Sequence, residues 1–167
     1  MCIRDRIHFY KPNKWNSGCC CSFSFNTSDN SFYVQLLKQL NWDEKTQRGK
    51  FDTESKSICK LAPNEVGSII DSIETGREFK NFHKTPKENT AFSFKPKMKD
   101  EAKVGFNFSL TKTPSSGEKK SYSMNFDFGE SKLLKQYLCT ALAMYSSSSI
   151  RKNNEAIAKS LAQKQNS

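Results

Sequence analysis

Apolar and polar residues alternate along most of this chain, and a helical period interrupts the alternation twice. Ile7-His8-Phe9-Tyr10 alternates and stops at Lys11-Pro12-Asn13-Lys14, a loop signal that closes a short strand. After Gly18, the stretch from Cys19 to Asn26 puts Cys21, Phe23 and Phe25 on one face and Ser22 and Ser24 on the other, the pattern of a half-buried strand. Thr27-Ser28-Asp29-Asn30 is turn chemistry. Phe32, Val34 and Leu36 then alternate with Tyr33, Gln35 and Leu37, and the strand runs toward Trp42. A helix competes over residues 32–42, because Leu36, Leu37 and Leu40 also fit its period; the flanking turn and the β-formers Phe32, Tyr33 and Val34 favour strand. A polar loop around Asp43 to Gly49 returns the chain through Phe51 to a fourth strand near Ser57-Ile58-Cys59-Lys60-Leu61.

Pro63 stands in the first turn of the helix that follows, where proline is tolerated, and Glu65 complements the positive end of its dipole. Val66, Ile69, Ile70 and Ile73 fall at i, i+3, i+4 and i+7, and Gly76 ends the stripe. The second half repeats the plan. Arg77 to Lys84 carries Phe79 and Phe82, which read first as core and otherwise, with Lys80, as outward candidates at the joint between the halves. Thr90 to Met98 has Phe92 and Phe94 inward and Ser93, Lys95 and Lys97 outward. Val104 to Thr111 and Ser121 to Phe128 alternate in the same way across the hairpin loop Thr113-Pro114-Ser115-Ser116-Gly117. From Glu130 a long helix is predicted, with Leu133, Leu134, Tyr137, Leu138, Ala141, Leu142 and Tyr145 as its stripe. The run Ser146 to Ser149 breaks that pattern, so residues 146–167 read as a basic, loosely ordered tail, with a helical arm as the alternative. Four strands and a helix, twice, predict two curved sheets pinned by two helices, with one domain spanning residues 7–145.

At 167 residues the chain is long enough to bury a core without staples. Its 27 Lys+Arg against 17 Asp+Glu give a formal charge of +10, which attracts polyanions. Nucleic acid is the first candidate and an anionic membrane surface the second. The six cysteines do not assemble a metal site: Cys19, Cys20 and Cys21 alternate faces on a strand, and no CxxC pair exists, so free thiols in a reducing compartment are expected. The start lacks the apolar region of a secretory signal and no apolar run reaches the length of a membrane span, which leads us to expect an intracellular protein. Residues 1–6 read as a non-native or disordered leader.

Four stretches carry a family resemblance: Ser31 to Trp42, Ile58 to Leu61, the helix Asn64-Glu65-Val66-Gly67-Ser68-Ile69-Ile70, and Arg77-Glu78-Phe79-Lys80-Asn81-Phe82-His83. Together they resemble the Whirly family, whose fold is related to the coactivator positive cofactor four and to the mitochondrial guide-RNA-binding proteins of trypanosomes. The resemblance covers roughly residues 7–145 in element order. It implies an α+β fold, two antiparallel four-stranded β-sheets in a pseudo-symmetric (ββββα)2 arrangement pinned by two helices. It further implies a homo-oligomer, a tetramer in the family, that binds single-stranded DNA along its sheet edges with little sequence preference. The basic KGKAAL element of plant members is absent here, and Lys11-Pro12-Asn13-Lys14 occupies the neighbouring place. The chain looks closer to small viral or prokaryotic members, which implies a cytoplasmic or nucleoid location, or the host cytoplasm for a virus.

Capture of a single strand needs cations along the phosphates and flat side chains for the bases. The outward candidates are Tyr10, Lys11, Lys14, Trp15, Tyr33, Gln35, Lys38, Trp42 and Lys50 in the first half and Lys80, Lys95, Lys97 and Lys103 in the second. Tyr137, Leu138 and Tyr145 are candidates for the oligomer interface. No catalytic constellation, cofactor motif or metal-ligand spacing is present: the two histidines, His8 and His83, lie in different halves of the sequence, and the sequence holds no GxSxG, P-loop or HExxH. The expectation is a non-enzymatic single-strand-binding protein serving replication, recombination, repair or transcription. An RNA-annealing chaperone and a protein-interaction scaffold are the alternatives.

Overall fold

Strands β1 (Arg4–Lys11), β2 (Cys19–Asn26) and β3 (Ser31–Asp43) pair antiparallel in that order, and β3, at 13 residues, takes two partners on its other edge. Along its first half it pairs with β5 (Ser57–Leu61), from Phe32↔Leu61 to Leu36↔Ser57. Along its end it pairs with β4 (Arg48–Phe51), from Gln39↔Phe51 to Asp43↔Arg48, past a bulge between Gln39 and Asn41. Helix α1 (Pro63–Thr75) leads to the second sheet, β6 (Phe79–Lys84), β7 (Glu88–Lys99), β8 (Ala102–Pro114) and β9 (Lys120–Phe126), antiparallel in chain order, and then to α2 (Phe128–Gln165). The computed structural model describes residues 4–54 and 56–165. The architecture is the α+β arrangement of two four-stranded antiparallel sheets and two helices, with β4 as a short addition.

The structure departs from the sequence expectations at four places. Residues 48–51 form β4, because β3 outruns the span that β5 covers and its far end takes backbone partners from the returning chain. Of the supposed leader, residues 1–3 lie outside the described residues, while Arg4 to Arg6 continue β1 as far as β2 can pair with it, Arg4 against Asn26. The serine run does not break α2, which continues to Gln165. Serine costs a helix only roughly 0.5 kcal/mol per residue, and the packed half ahead of the run, with Tyr145 against Phe32 at 5.7 Å and Asn30 Nδ2 donating to Ser149 Oγ at 3.2 Å, carries the helix through. The helix also starts earlier than Glu130. Asp127 Oδ1 accepts the Glu130 N–H (2.8 Å) and Glu130 Oε2 accepts the Asp127 N–H (2.9 Å), a reciprocal cap.

The inner faces of the two sheets share one core. Phe9, Cys21 and Leu36 form one cross-strand row of the first sheet, Ile7, Phe23, Val34 and Cys59 the next. Phe94, Phe108 and Met124, flanked by Phe92, Leu110 and Tyr122, form the facing rows of the second. Edge-on ring pairs Phe9–Phe126 (4.9 Å) and Phe23–Phe108 (5.7 Å) join the sheets, and Val66, Ile69, Leu134, Leu138 and Ala141 close the core from the helices. The two outer faces therefore lie on opposite sides of the molecule.

A buried carboxylate ties the halves together. Glu65, its side chain 3% exposed, accepts hydrogen bonds from the Ala62 N–H (2.7 Å), capping α1, and from Asn81 Nδ2 (2.6 Å) on β6, and its Oε1 lies 2.8 Å from His83 Nε2. His83 Nδ1 is 3.8 Å from Cys59 Sγ on β5. Helix α1 and strand β6, which come from two of the stretches that carry the family resemblance, are thus joined by one hydrogen-bonded network. Two glycines are required by backbone geometry. Gly76 ends α1 at φ 75, and Gly105 sits at φ 146 where a Cβ would stand 2.1 Å from the Phe126 carbonyl oxygen. Cys19, Cys20, Cys21 and Cys59 are buried free thiols, and burial pushes those of Cys19 and Cys59 up to about 11.

Candidate nucleic-acid interface

Alternation in β6 to β9 puts Phe79, Asn81 and His83 on the core side and Lys80, Phe82 and Lys84 on the outer side. The ladder then defines the outer rows. Lys84 lies beside Asn89 and Thr113; Phe82 beside Ala91, Thr111 and Ser121; Lys80 beside Ser93, Ser109 and Ser123; Lys95 beside Asn107 and Asn125; and Lys97 beside Gly105. Four lysines and no carboxylate occupy these rows. Between them runs a lattice of small polar side chains that bond one another: Ser93 Oγ to Ser109 Oγ at 2.9 Å, Thr111 Oγ1 to Ser121 Oγ at 3.1 Å, and Asn107 Nδ2 donating to Ser123 Oγ at 2.8 Å and Asn125 Oδ1 at 2.9 Å. The face is flat because few large side chains stand on it, and its charge has one sign.

At one end this face runs into a cleft of about 330 Å³ between the halves, lined by Lys97, Ser123, Asn125 and the carboxylate Asp127 on one side and Lys11, Asn13 and Ser17 on the other. The β1–β2 loop that forms the second wall is built by Asn13 and Gln39. Asn13 Oδ1 accepts the Trp15 and Ser17 N–H groups, and the buried Gln39 amide accepts the Asn13 N–H and donates to the Asn13 carbonyl, both at 2.9 Å. The loop tip presents Trp15, 73% exposed, with the Lys14 ammonium 4.8 Å from its ring centre.

The structure brings Lys80, Lys95 and Lys97 onto one face, with Lys14 and Trp15 on the adjoining loop. The other candidates are placed elsewhere. Tyr10, Tyr33 and Gln35 stand on the outer face of the first sheet, on the far side of the core. Trp42 joins them, because it pairs with Gly49, two residues from Phe51, whose partner is Gln39 of that face. Tyr33 is held there by its hydroxyl donating to Asp29 Oδ2 (2.7 Å). Burial and the neighbouring Arg6 hold the His8 imidazole on this face below its ordinary range. Lys50 lies on the opposite side of the β3–β4 hairpin from Trp42.

Two lysines expected outward are on the inner register. Lys11 and Lys38 end the core-side row through Cys19, where Lys11 pairs with Glu130 and the Lys38 ammonium lies 5.3 Å from the Tyr122 ring centre. Lys103 folds over the core ring of Phe106 at 4.7 Å. Among the expected interface residues, Leu138 is 2% exposed and belongs to the chain's own core. Tyr137 and Tyr145 are half-buried, the Tyr137 hydroxyl oxygen accepting the Phe25 N–H at 2.9 Å and Tyr145 packing on Phe32.

Sequence reasoning misses Lys84 and weights Phe82 toward the core. Phe82 reads as core beside Phe79, but the two are three residues apart in a strand and face opposite ways, leaving Phe82 65% exposed. Strict alternation from Phe79 places it correctly. Among the described residues no three His, Cys, Asp or Glu side chains gather as a metal site, and no helix is long and apolar enough to cross a membrane.

No family model and no curated protein matches the sequence. Among solved structures the chain is similar to WHY1 of Arabidopsis thaliana, with a TM-score of 0.69 at 13% identity over 93% of each chain. It is similar to the plant transcriptional regulator PBF-2, with a TM-score of 0.68 at 13% identity over 91% of this chain and 87% of that one. It is also similar to MRP1/MRP2 of Trypanosoma brucei, with a TM-score of 0.58 at 16% identity over 84% of each. At these identities the likeness is one of fold: the chain has a Whirly-like fold.

Proposed function

We propose that this protein binds single-stranded nucleic acid, DNA in the first instance, on the outer face of its second sheet, as a non-enzymatic accessory that coats exposed strands during replication, recombination, repair or transcription. The observation that carries the reading is the four-lysine, carboxylate-free polar face, continuous with the cleft at Lys97 and the Lys14–Trp15 loop. Ammonium groups there replace counterions along the phosphates, and the hydroxyl and amide lattice supplies neutral donors to phosphate and sugar oxygens. The open pleated face favours a strand whose bases are unpaired and free to stack.

Anisotropy titrations of labelled single-stranded DNA, matched RNA and duplex at several salt concentrations test this. The reading expects single strand to bind more tightly than duplex, with affinity falling steeply as salt rises. Tighter binding to duplex, or affinity independent of salt, contradicts it; preference for RNA selects the annealing chaperone, and no binding of any strand selects the protein scaffold.

Assembly is part of the same proposal, through the exposed remainder of α2. The open side of α2 exposes Leu133, Met144, Ile150 and Leu161, disposed symmetrically about Ser147, and apolar clefts of about 480 and 540 Å³ flank it. A second copy laid antiparallel would set Leu133 against Leu161 and Met144 against Ile150, the self-complementary arrangement of a two-fold contact. Light scattering that finds a monomer at micromolar concentration removes this element.

A further inference from the structure

The outer face of the first sheet carries Tyr10, Tyr33 and Trp42 together with Arg6 and Lys60. Lys80, Lys84, Lys95 and Lys97 stand on the outer face of the second, where the one large aromatic ring is Phe82. We propose that Phe82 is a base-stacking platform and that Lys80 and Lys84, one on each side of it, hold phosphates to either side of the stacked nucleotide, so that the strand runs along β6. This rests on the single-strand reading above and specifies where on the face the strand lies.

The geometry fits a short length of strand. Alternate residues of a β-strand are about 6.7 Å apart, so Lys80 and Lys84 stand about 13 Å apart with Phe82 midway between them on one face, about two phosphate-to-phosphate steps of an extended polynucleotide. The ring is open to a planar ligand. Its cross-strand neighbour is Ala91, followed by Thr111 and Ser121, so no bulky side chain on that row covers it.

Neither protection against aggregation nor strand addition from a second copy accounts as well for a phenylalanine exposed at this sheet edge. Edge strands resist aggregation by carrying lysine, and Lys80 and Lys84 serve that purpose without a large apolar ring between them, which works against it. Addition of a strand from a second copy would use the backbone donors of β6. The Phe82 N–H already donates to Asn81 Oδ1 at 2.9 Å, and Asn81 is itself anchored to the buried Glu65 at 2.6 Å. A ring offered between two cations, on an edge whose N–H at that residue is engaged, matches a ligand that is anionic and flat by turns.

The test is an anisotropy titration of labelled oligothymidine with the full chain and with Phe82→Ala and Phe82→Trp, at three salt concentrations, after thermal melts show each variant folded. Phe82→Ala should weaken binding about 5- to 150-fold, the range for one stacked base, with an unchanged salt slope because the lysines remain. Phe82→Trp should keep the affinity and show tryptophan quenching on binding beyond that of Trp15 and Trp42 in the unsubstituted chain. On an oligonucleotide of abasic deoxyribose phosphates, the unsubstituted chain and Phe82→Ala should bind equally. Oligothymidine binding by Phe82→Ala equal to that of the unsubstituted chain, or no added quenching in Phe82→Trp, overturns the stacking role while leaving single-strand binding in place. A changed oligomeric state in Phe82→Ala with strand affinity intact overturns it in favour of a contact between copies. Failure of the unsubstituted chain to bind oligothymidine at any salt defeats the single-strand reading itself and the stacking role with it.

Discussion

Replacing Lys80, Lys84, Lys95 and Lys97 together by glutamine removes the cations of the second sheet's outer face and leaves every core row intact. All four are exposed, so the perturbation is electrostatic and the fold should hold. For single strands each neutralised phosphate contributes about 0.7 to the slope of log K against log salt. Four contacts therefore contribute about 2.8, and a fourfold rise in salt from 50 to 200 mM should weaken the unsubstituted protein by about 50-fold through these lysines alone. The quadruple variant should lose that slope and bind far more weakly at low salt. A matched double variant on the opposite face, Arg6→Gln with Lys60→Gln, should leave the slope nearly unchanged, since those residues share a face with Tyr10 and Tyr33 across the core. Anisotropy against one labelled single strand over a salt series measures both. Equal slopes for the quadruple variant and the unsubstituted protein would refute the placement of the phosphates, however tightly either binds.

Glu65→Ala should destabilise the fold by roughly 3 to 5 kcal/mol in urea denaturation, because it strands Asn81, His83 and the α1 cap around a vacated buried site; a loss below about 1 kcal/mol would show the network to be dispensable. Gly105→Ala should cost roughly 2 kcal/mol or more by the same measurement, since it joins a disfavoured φ to a collision with the Phe126 carbonyl. A chain ending at Ser149 should melt within about 2 °C of the full chain, because the side chains of residues 150–163 are exposed, yet it should form smaller assemblies in light scattering if α2 joins copies. At pH 8, iodoacetamide should leave Cys19, Cys20, Cys21 and Cys59 unmodified in the folded protein. Burial raises these thiols above their ordinary range, so below that range they stay protonated; rapid native-state labelling of Cys59 would contradict its placement.

Period-2 alternation is enough to place most of the sheets. Cys21, Phe23, Phe25, Phe32, Val34 and Leu36 are buried as their spacing demands, and the stripes of both helices face the core except at Leu133, which is exposed. What the letters hide has physical causes. β4 carries no apolar alternation, since Arg48-Gly49-Lys50-Phe51 is recruited by the unpaired end of β3 rather than by burial of its own. The continuation of α2 depends on tertiary anchorage of Tyr145 and Ser149, which outweighs a weak local penalty that looks like a stop. At the candidate site, the outward direction of Lys80, Lys95 and Lys97 is readable from parity. Which sheet faces which is not, so rings and lysines that look like one path in sequence stand on opposite sides of the core. Lys11 and Lys38 fall on the inner register because strand parity places them in the last row of the core face, where it opens at the rim.

The most direct measurement is lysine footprinting: acetylation of the folded chain with and without saturating single-stranded oligonucleotide, read by mass spectrometry. The account predicts protection of Lys80, Lys84, Lys95 and Lys97, with Lys60 on the first sheet's outer face and Lys50 on β4 modified at the same rate in both samples. Protection of Lys60 and Lys50, with the four lysines of the second sheet left reactive, would contradict it.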